Sequence, residues 1–204
     1  MNRSASVVAI SHESPSAVMS LLRGAGIVLA GSALVAVCAH VSIPLWFTPV
    51  PVTLQPFAVL VLGLLLGPQL AFATMVAYLV EGAAGLPVFT PHGLGGVAQL
   101  LGPTGGYLLS YPVVAPLISV LWRRSARSFS RGLLIAGAGS LVTLAMGAVW
   151  LGILKQMPPM TLLNVTVLPF LPGDVLKVVA ASGIATAAAL EATPPPASRY
   201  FTCR

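Results

Sequence analysis

Asp174 and Lys177 stand three residues apart at the start of the apolar stretch PFLPGDVLKVVAASG, in a 204-residue chain that holds four Asp or Glu against ten Lys or Arg. On a helix, positions i and i+3 share one face. Charges inside a membrane helix are costly and turn toward a cavity or a partner rather than toward lipid. The pair therefore reads as a polar site at the mouth of a membrane-embedded pocket, with Lys177 as its cation and Asp174 as its acceptor. A helix starting at Gly173 would also aim free N–H groups outward, and its positive end suits an anion. A structural reading fits the same residues: Asp174 caps its own helix and pairs with Lys177.

Other polar residues fall at the ends of apolar runs. Glu81 is the only other acid within such a run. It accepts from a ligand or pairs with Lys177, or else it is protonated and inert. Gln55 lies where a proline-rich loop enters an apolar run, so its amide either meets a ligand or fixes the loop. Thr90 and His92 follow the apolar anchor GLPVF; a loop histidine is ordinarily a solvated one. Tyr107 either stacks on or bonds a ligand, or packs against the core. The glycines of GLGGVAQLLGPTGGY resemble a phosphate loop only superficially, because no strand precedes them and no lysine follows. They fit a tight re-entrant path and close helix approach instead. None of the three histidines, His12, His40 and His92, lies near a pair of Cys or carboxylates, so no metal site is expected. Cys38 and Cys203 form no C-x-x-C and no disulfide framework.

These residues must be positioned by membrane helices. The chain is 57% hydrophobic and only 7% charged, whereas a soluble domain carries about 25% charged residues; its mean hydropathy is +0.96. Apolar runs predict an all-α integral membrane protein with six helices, near 22–41, 55–68, 70–88, 104–122, 132–154 and 173–191. The 22–191 segment is one membrane domain between an N-terminal tail, 1–21, and a C-terminal tail, 192–204. The N-terminus lacks a compact basic-then-apolar signal with a cleavage site and reads as retained. RRSARSFSR holds Arg123, Arg124, Arg127 and Arg131, which puts that loop on the cytoplasmic side. Six spans then place both termini there, with Arg3, Arg23, Arg199 and Arg204, so that eight of ten basic residues share a side and Lys155 and Lys177 lie outward. No aromatic residues interleave the arginines as a nucleic-acid surface would require. The three outward connections are long and rich in Pro and Gly. The first, HVSIPLWFTPVPVTLQP, should be a stiff, non-helical strand or hairpin. Their apolar content (Trp46, Phe47, Val88, Phe89, Phe170) suits a lid over an outward-facing pocket, since irregular backbone near a membrane lines cavities or is buried by protein.

The segments VSIPL, PVPVTLQPFAVLVLGLLLGP, GLPVF, GLGGVAQLLGPTGGYLLSY and LPGDVLK, in this order, resemble the BioY family, the biotin-specific substrate-binding (S) components of energy-coupling factor (ECF) transporters. The resemblance spans roughly residues 25–190. It implies the six-helix S-component fold, a vitamin pocket on the outer side, and a location in the bacterial plasma membrane. It also implies partners: a transmembrane coupling protein carrying two ATP-binding cassette ATPases, although some members are thought to work without that module. No G-x-x-x-x-G-K-[ST] motif is present, so any ATP-driven step belongs to another chain. Asp174 and Lys177 match the family's PGD-x-x-K motif, and the resemblance assigns them to biotin contact. Biotin asks for apolar walls, partners for its flat ureido group, and a cation or amide donors for its carboxylate. Gln55, Glu81, Thr90, His92 and Tyr107 complete the expected set. On the first helix, Ser32-x-x-x-Ala36 matches, with one substitution, the small-residue pattern through which the family meets its coupling protein; Gly26 and Ala30 form a similar pair. Packing within the chain explains both equally. No cofactor is expected, and homo-oligomerisation stays open.

Three other readings compete with a biotin-binding subunit. They are an S component for a different vitamin, a small membrane acyl or prenyl transferase, and a structural subunit without ligand. A transferase would need a catalytic cluster, and the membrane part offers only Asp174, Lys177 and Glu81.

Overall fold

The computed structural model describes residues 15–192. Most of the two expected tails, including Arg3, His12, Arg199, Cys203 and Arg204, lies outside the described residues. In chain order the elements are α1 (Pro15–His40), β1 (Ser42–Ile43), β2 (Val52–Thr53), α2 (Gln55–Leu65), α3 (Pro68–Ala83), α4 (Gly96–Leu101), α5 (Gly105–Arg123), α6 (Phe129–Lys155), α7 (Pro159–Thr166) and α8 (Leu171–Glu191). Four of these helices, α1, α5, α6 and α8, are long and apolar enough to cross a membrane. With 11 residues, α2 is about 16 Å long at 1.5 Å per residue, about half of the hydrocarbon thickness.

Local chemistry explains most boundaries. Gly67 and Pro68 separate α2 from α3, with the proline in the first turn of α3, where its missing N–H costs nothing. The apolar run continues to residue 88, yet α3 stops at Ala83. Gly85 adopts φ +91°, a conformation that only glycine enters freely. Its N–H then bonds the Gly82 carbonyl, and that of Leu86 bonds the Glu81 carbonyl, both at 3.1 Å, which closes the helix end. The connection 156–170, expected as a loop, contains α7, which Pro158 and Pro159 introduce. The first connection is a hairpin as expected: β1 and β2 pair antiparallel, Ser42 opposite Thr53 and Ile43 opposite Val52. At its tip, Trp46 is 95% exposed and meets Phe47 edge-on at 5.3 Å.

Short α2 sits at the centre, buried from Ala58 to Leu62 on all sides. It packs against α1, α5 and α8, while α5 also packs against α3 and α6. One core joins α1, α2, α3 and α5 around Met75 and Tyr78; a second joins α2, α5, α6 and α8 around Ile118 and Trp122. Outward faces are apolar (Leu29, Leu134, Leu141, Val175) and suit lipid. Between helices that are as apolar as the lipid, close packing rather than the hydrophobic effect selects the fold. A methyl group at Gly63 of α2 would stand 3.0 Å from the Ala115 carbonyl oxygen and 3.2 Å from Ile118 of α5. At Gly31 of α1 it would stand 2.7 Å from Thr74 of α3.

The hairpin, α4 and α7 gather at one end of the bundle, with the C-terminal ends of α1, α3 and α6 and the N-terminal ends of α2, α5 and α8. Arg123, Arg124, Arg127 and Arg131 sit in the α5–α6 connection at the opposite end, where Arg23 of α1 also lies.

Candidate binding site

A cavity of ≈ 540 Å³, its mouth included, opens under the hairpin among α2, α5, α6 and α8. Asp174 and Lys177 line it from α8 and are 7% and 8% exposed. Lys177 Nζ donates to Asp174 Oδ1 at 2.9 Å. Ser140 of α6 donates to Asp174 Oδ2, also at 2.9 Å. Both carboxylate oxygens are thus held, one from within the helix and one across from its neighbour. Asp174 does not cap α8: Phe170 is the N-cap residue, and no side chain makes a cap bond there. Nor does the helix end offer the expected fan of free donors. The helix begins at Leu171 rather than Gly173; the N–H groups of Leu171 and Asp174 already bond Val167 and Phe170, and Pro172 has none. Asp174 is the only described partner of Lys177, so the ammonium keeps donor capacity toward the cavity.

Gln55 enters from the start of α2. Its Nε2 donates to Tyr78 Oη at 2.9 Å, and Tyr78 donates to the Val88 carbonyl at 3.1 Å. This relay ties the end of the hairpin to the α3–α4 connection. No described donor reaches Gln55 Oε1, which is left to accept from the cavity. Thr90 is 7% exposed, and its Oγ1 is buried without a partner among the described residues. An unpaired buried hydroxyl costs stability, so its placement at a cavity wall points to a group that the cavity receives. Tyr107 spends its hydroxyl on the Thr166 carbonyl, 3.0 Å away, and gives the cavity its ring, 6.3 Å from that of Phe170. This position exists because residue 147 is glycine: a Cβ there would fall inside the Tyr107 ring.

Two expected residues lie elsewhere. His92 is exposed and lines an outer cavity shared with Thr90, not the inner one. Glu81 lines neither cavity; its Oε1 is 2.9 Å from Ser32 Oγ, across the α1–α3 contact. Ser32 is 2% exposed and also approaches the Leu29 carbonyl, while Ala36 packs against the first core.

The sequence reading omitted Ser140, Tyr111, Gln99 and Thr143, which are all buried. Tyr111 had a signal, since it follows Tyr107 by one helical turn and shares its face. Its hydroxyl has no described partner and, like Gln99 and Thr143, it lines the cavity. Ser140 had none: a serine in an apolar run declares nothing until α6 is laid against α8.

The arrangement can hold a neutral, flat, polar head by donors and acceptors together, with aromatic and apolar walls for the rest. The described residues contain no cluster of His, Cys, Asp or Glu suited to a metal. The family model described as "BioY family" matches residues 11–193. A probable biotin transporter BioY of Pyrococcus horikoshii is 39% identical over 153 residues, 75% of this chain and 88% of that protein. The biotin transporter BioY2 of Lactococcus lactis is 34% identical, over 84% and 92%. A crystal structure of the S-component for biotin from an ECF-type ABC transporter superposes with a TM-score of 0.76 at 28% identity, over 84% of this chain and 93% of that one.

Proposed function

The chain belongs to the BioY family, and on that premise we propose that it is the membrane-embedded biotin-binding subunit of a vitamin importer. A transport family and four long apolar helices make it a multi-pass membrane protein. In this reading it resides in the bacterial plasma membrane, and the inner cavity takes biotin from the outer side. An ATPase-driven ECF module, or the chain alone, then delivers the vitamin inward. The observation that carries the reading is the buried Asp174–Lys177 pair, anchored by Ser140 in a cavity where Gln55 Oε1 and the Thr90 and Tyr111 hydroxyls have no partner among the described residues. Calorimetry on detergent-purified protein should give saturable biotin binding near one per chain. Heat with thiamine or riboflavin and none with biotin would sink the proposal.

The finer topology belongs to the same reading. We take α1, α2, α3, α5, α6 and α8 as the six membrane helices, both termini cytoplasmic, and α4 and α7 as caps on the outer side. Shortness does not bar α2, because a helix enclosed by protein need not match the lipid thickness. The arginine end is then cytoplasmic by its charge. Ser32 is buried against Glu81 of α3, so of the small-residue pair on α1 only the partly buried Ala36 stays a candidate contact with the coupling protein.

A further inference from the structure

The inner cavity continues outward. A second cavity, of ≈ 690 Å³, lies between the hairpin, the connection bearing His92, and α4, and the two share Pro51, Thr90, Gln99 and Thr104 at the throat. The outer cavity is the larger of the two, so a ligand seated in the inner one has room to extend beyond the throat.

Charge decides which end of the ligand goes in. Asp174 and Lys177 together are neutral, and Lys177 is the one described cation lining the inner cavity; Lys155 is exposed and five arginines lie at the far end. A ligand carboxylate placed there would set a second buried anion against one ammonium, an arrangement that desolvation penalises heavily. The helix end offers little more, because of its first four residues only Gly173 keeps a free N–H. A ureido group brings no charge. Its two N–H groups suit Asp174 and Gln55 Oε1, and its carbonyl suits Lys177 and the Tyr111 hydroxyl. The carboxyl then points through the throat toward water, past Thr90, whose hydroxyl has no described partner and suits an acyl oxygen common to acid, ester and amide.

We infer that biotin enters ureido end first, and that the site therefore also accepts biotin amides and esters, the amide to a lysine side chain included, with the substituent in the outer cavity. This rests on the biotin reading above. Biotin and biotinyl-lysine amide are titrated by calorimetry into the parent and into Lys177→Gln. The parent should bind the amide within about tenfold of biotin, because an exposed carboxylate contributes little. Lys177→Gln should weaken both ligands by the same factor, since it meets the end they share. A loss on the order of a hundredfold or more for the amide in the parent, with biotin binding intact, overturns this inference and leaves the proposed function standing. So does a variant that weakens biotin alone. Absence of biotin binding by the parent removes the proposed function, and this inference with it.

Discussion

Removing either member of the Asp174–Lys177 pair leaves its partner's charge in a site less than a tenth exposed. Breaking a buried pair in this way costs about 3–5 kcal/mol, whereas replacing both members by apolar groups is often neutral. Lys177→Ala and Asp174→Asn should therefore each lower the thermal midpoint, and Asp174→Leu with Lys177→Met should largely recover it. None of the three should bind like the parent. For Lys177→Ala the loss is about 30-fold or more, from a charge-assisted contact of about 2–5 kcal/mol. Parent-like biotin affinity in both single variants would move the site away from the pair. Gly147→Val should act at a distance, because its side chain needs the space of the Tyr107 ring. Overpacking of this kind costs about 1–3 kcal/mol, to be read as lost stability or as a weaker calorimetric constant. The pair itself was legible in the sequence because charges are so scarce there. Ser140 and Gly147 were not, since each matters only through a neighbour on another helix. Glu81 misled for the converse reason: scarcity marked it, but the α1–α3 contact, and not the cavity, took it up.

Among the elements, the hairpin was legible, since prolines at 44, 49 and 51 deny a helix to that stretch. The end of α3 was misread because apolar character outlasts the helix, and the stop lies in Gly85. The glycines separate by what stands opposite them. Gly63→Leu should abolish the close approach of α2 to α5 and sharply reduce the monodisperse yield. Gly137, whose added methyl would meet nothing within 4 Å, should accept alanine with stability unchanged or raised by up to about 1 kcal/mol. Equal damage from the two substitutions would show that packing at Gly63 is not what holds these helices together. The helix α5 shows the limit of breaker logic: Pro112 and Pro116 lie within it, and it still runs from Gly105 to Arg123. Neighbours on several sides can hold a membrane helix together where a proline withholds a bond.

At the scale of the molecule, the two ends of the bundle differ in kind, one arginine-rich and the other built of hairpin and short helices. Under the proposed topology, a cysteine at Ser125 should react with an impermeant reagent only from the cytoplasm, and one at Thr161 only from outside. Labelling of Ser125→Cys in intact cells would reverse the orientation. Helical class and several spans could be read from composition, because a surface so poor in charge has no place in water. The central place of α2 could not, since nothing in an apolar run says whether lipid or protein will surround it. The hairpin tip has a spectroscopic consequence. Of the three tryptophans, Trp46 is almost fully exposed, Trp122 is 3% exposed at the far end, and Trp150 is held by its bond to the Gly102 carbonyl. Intrinsic emission should therefore separate into a long-wavelength component that iodide quenches and a shielded one that it does not. Trp46→Phe should delete the first alone, so the chain carries its own optical gauge of what the hairpin does when the cavity fills.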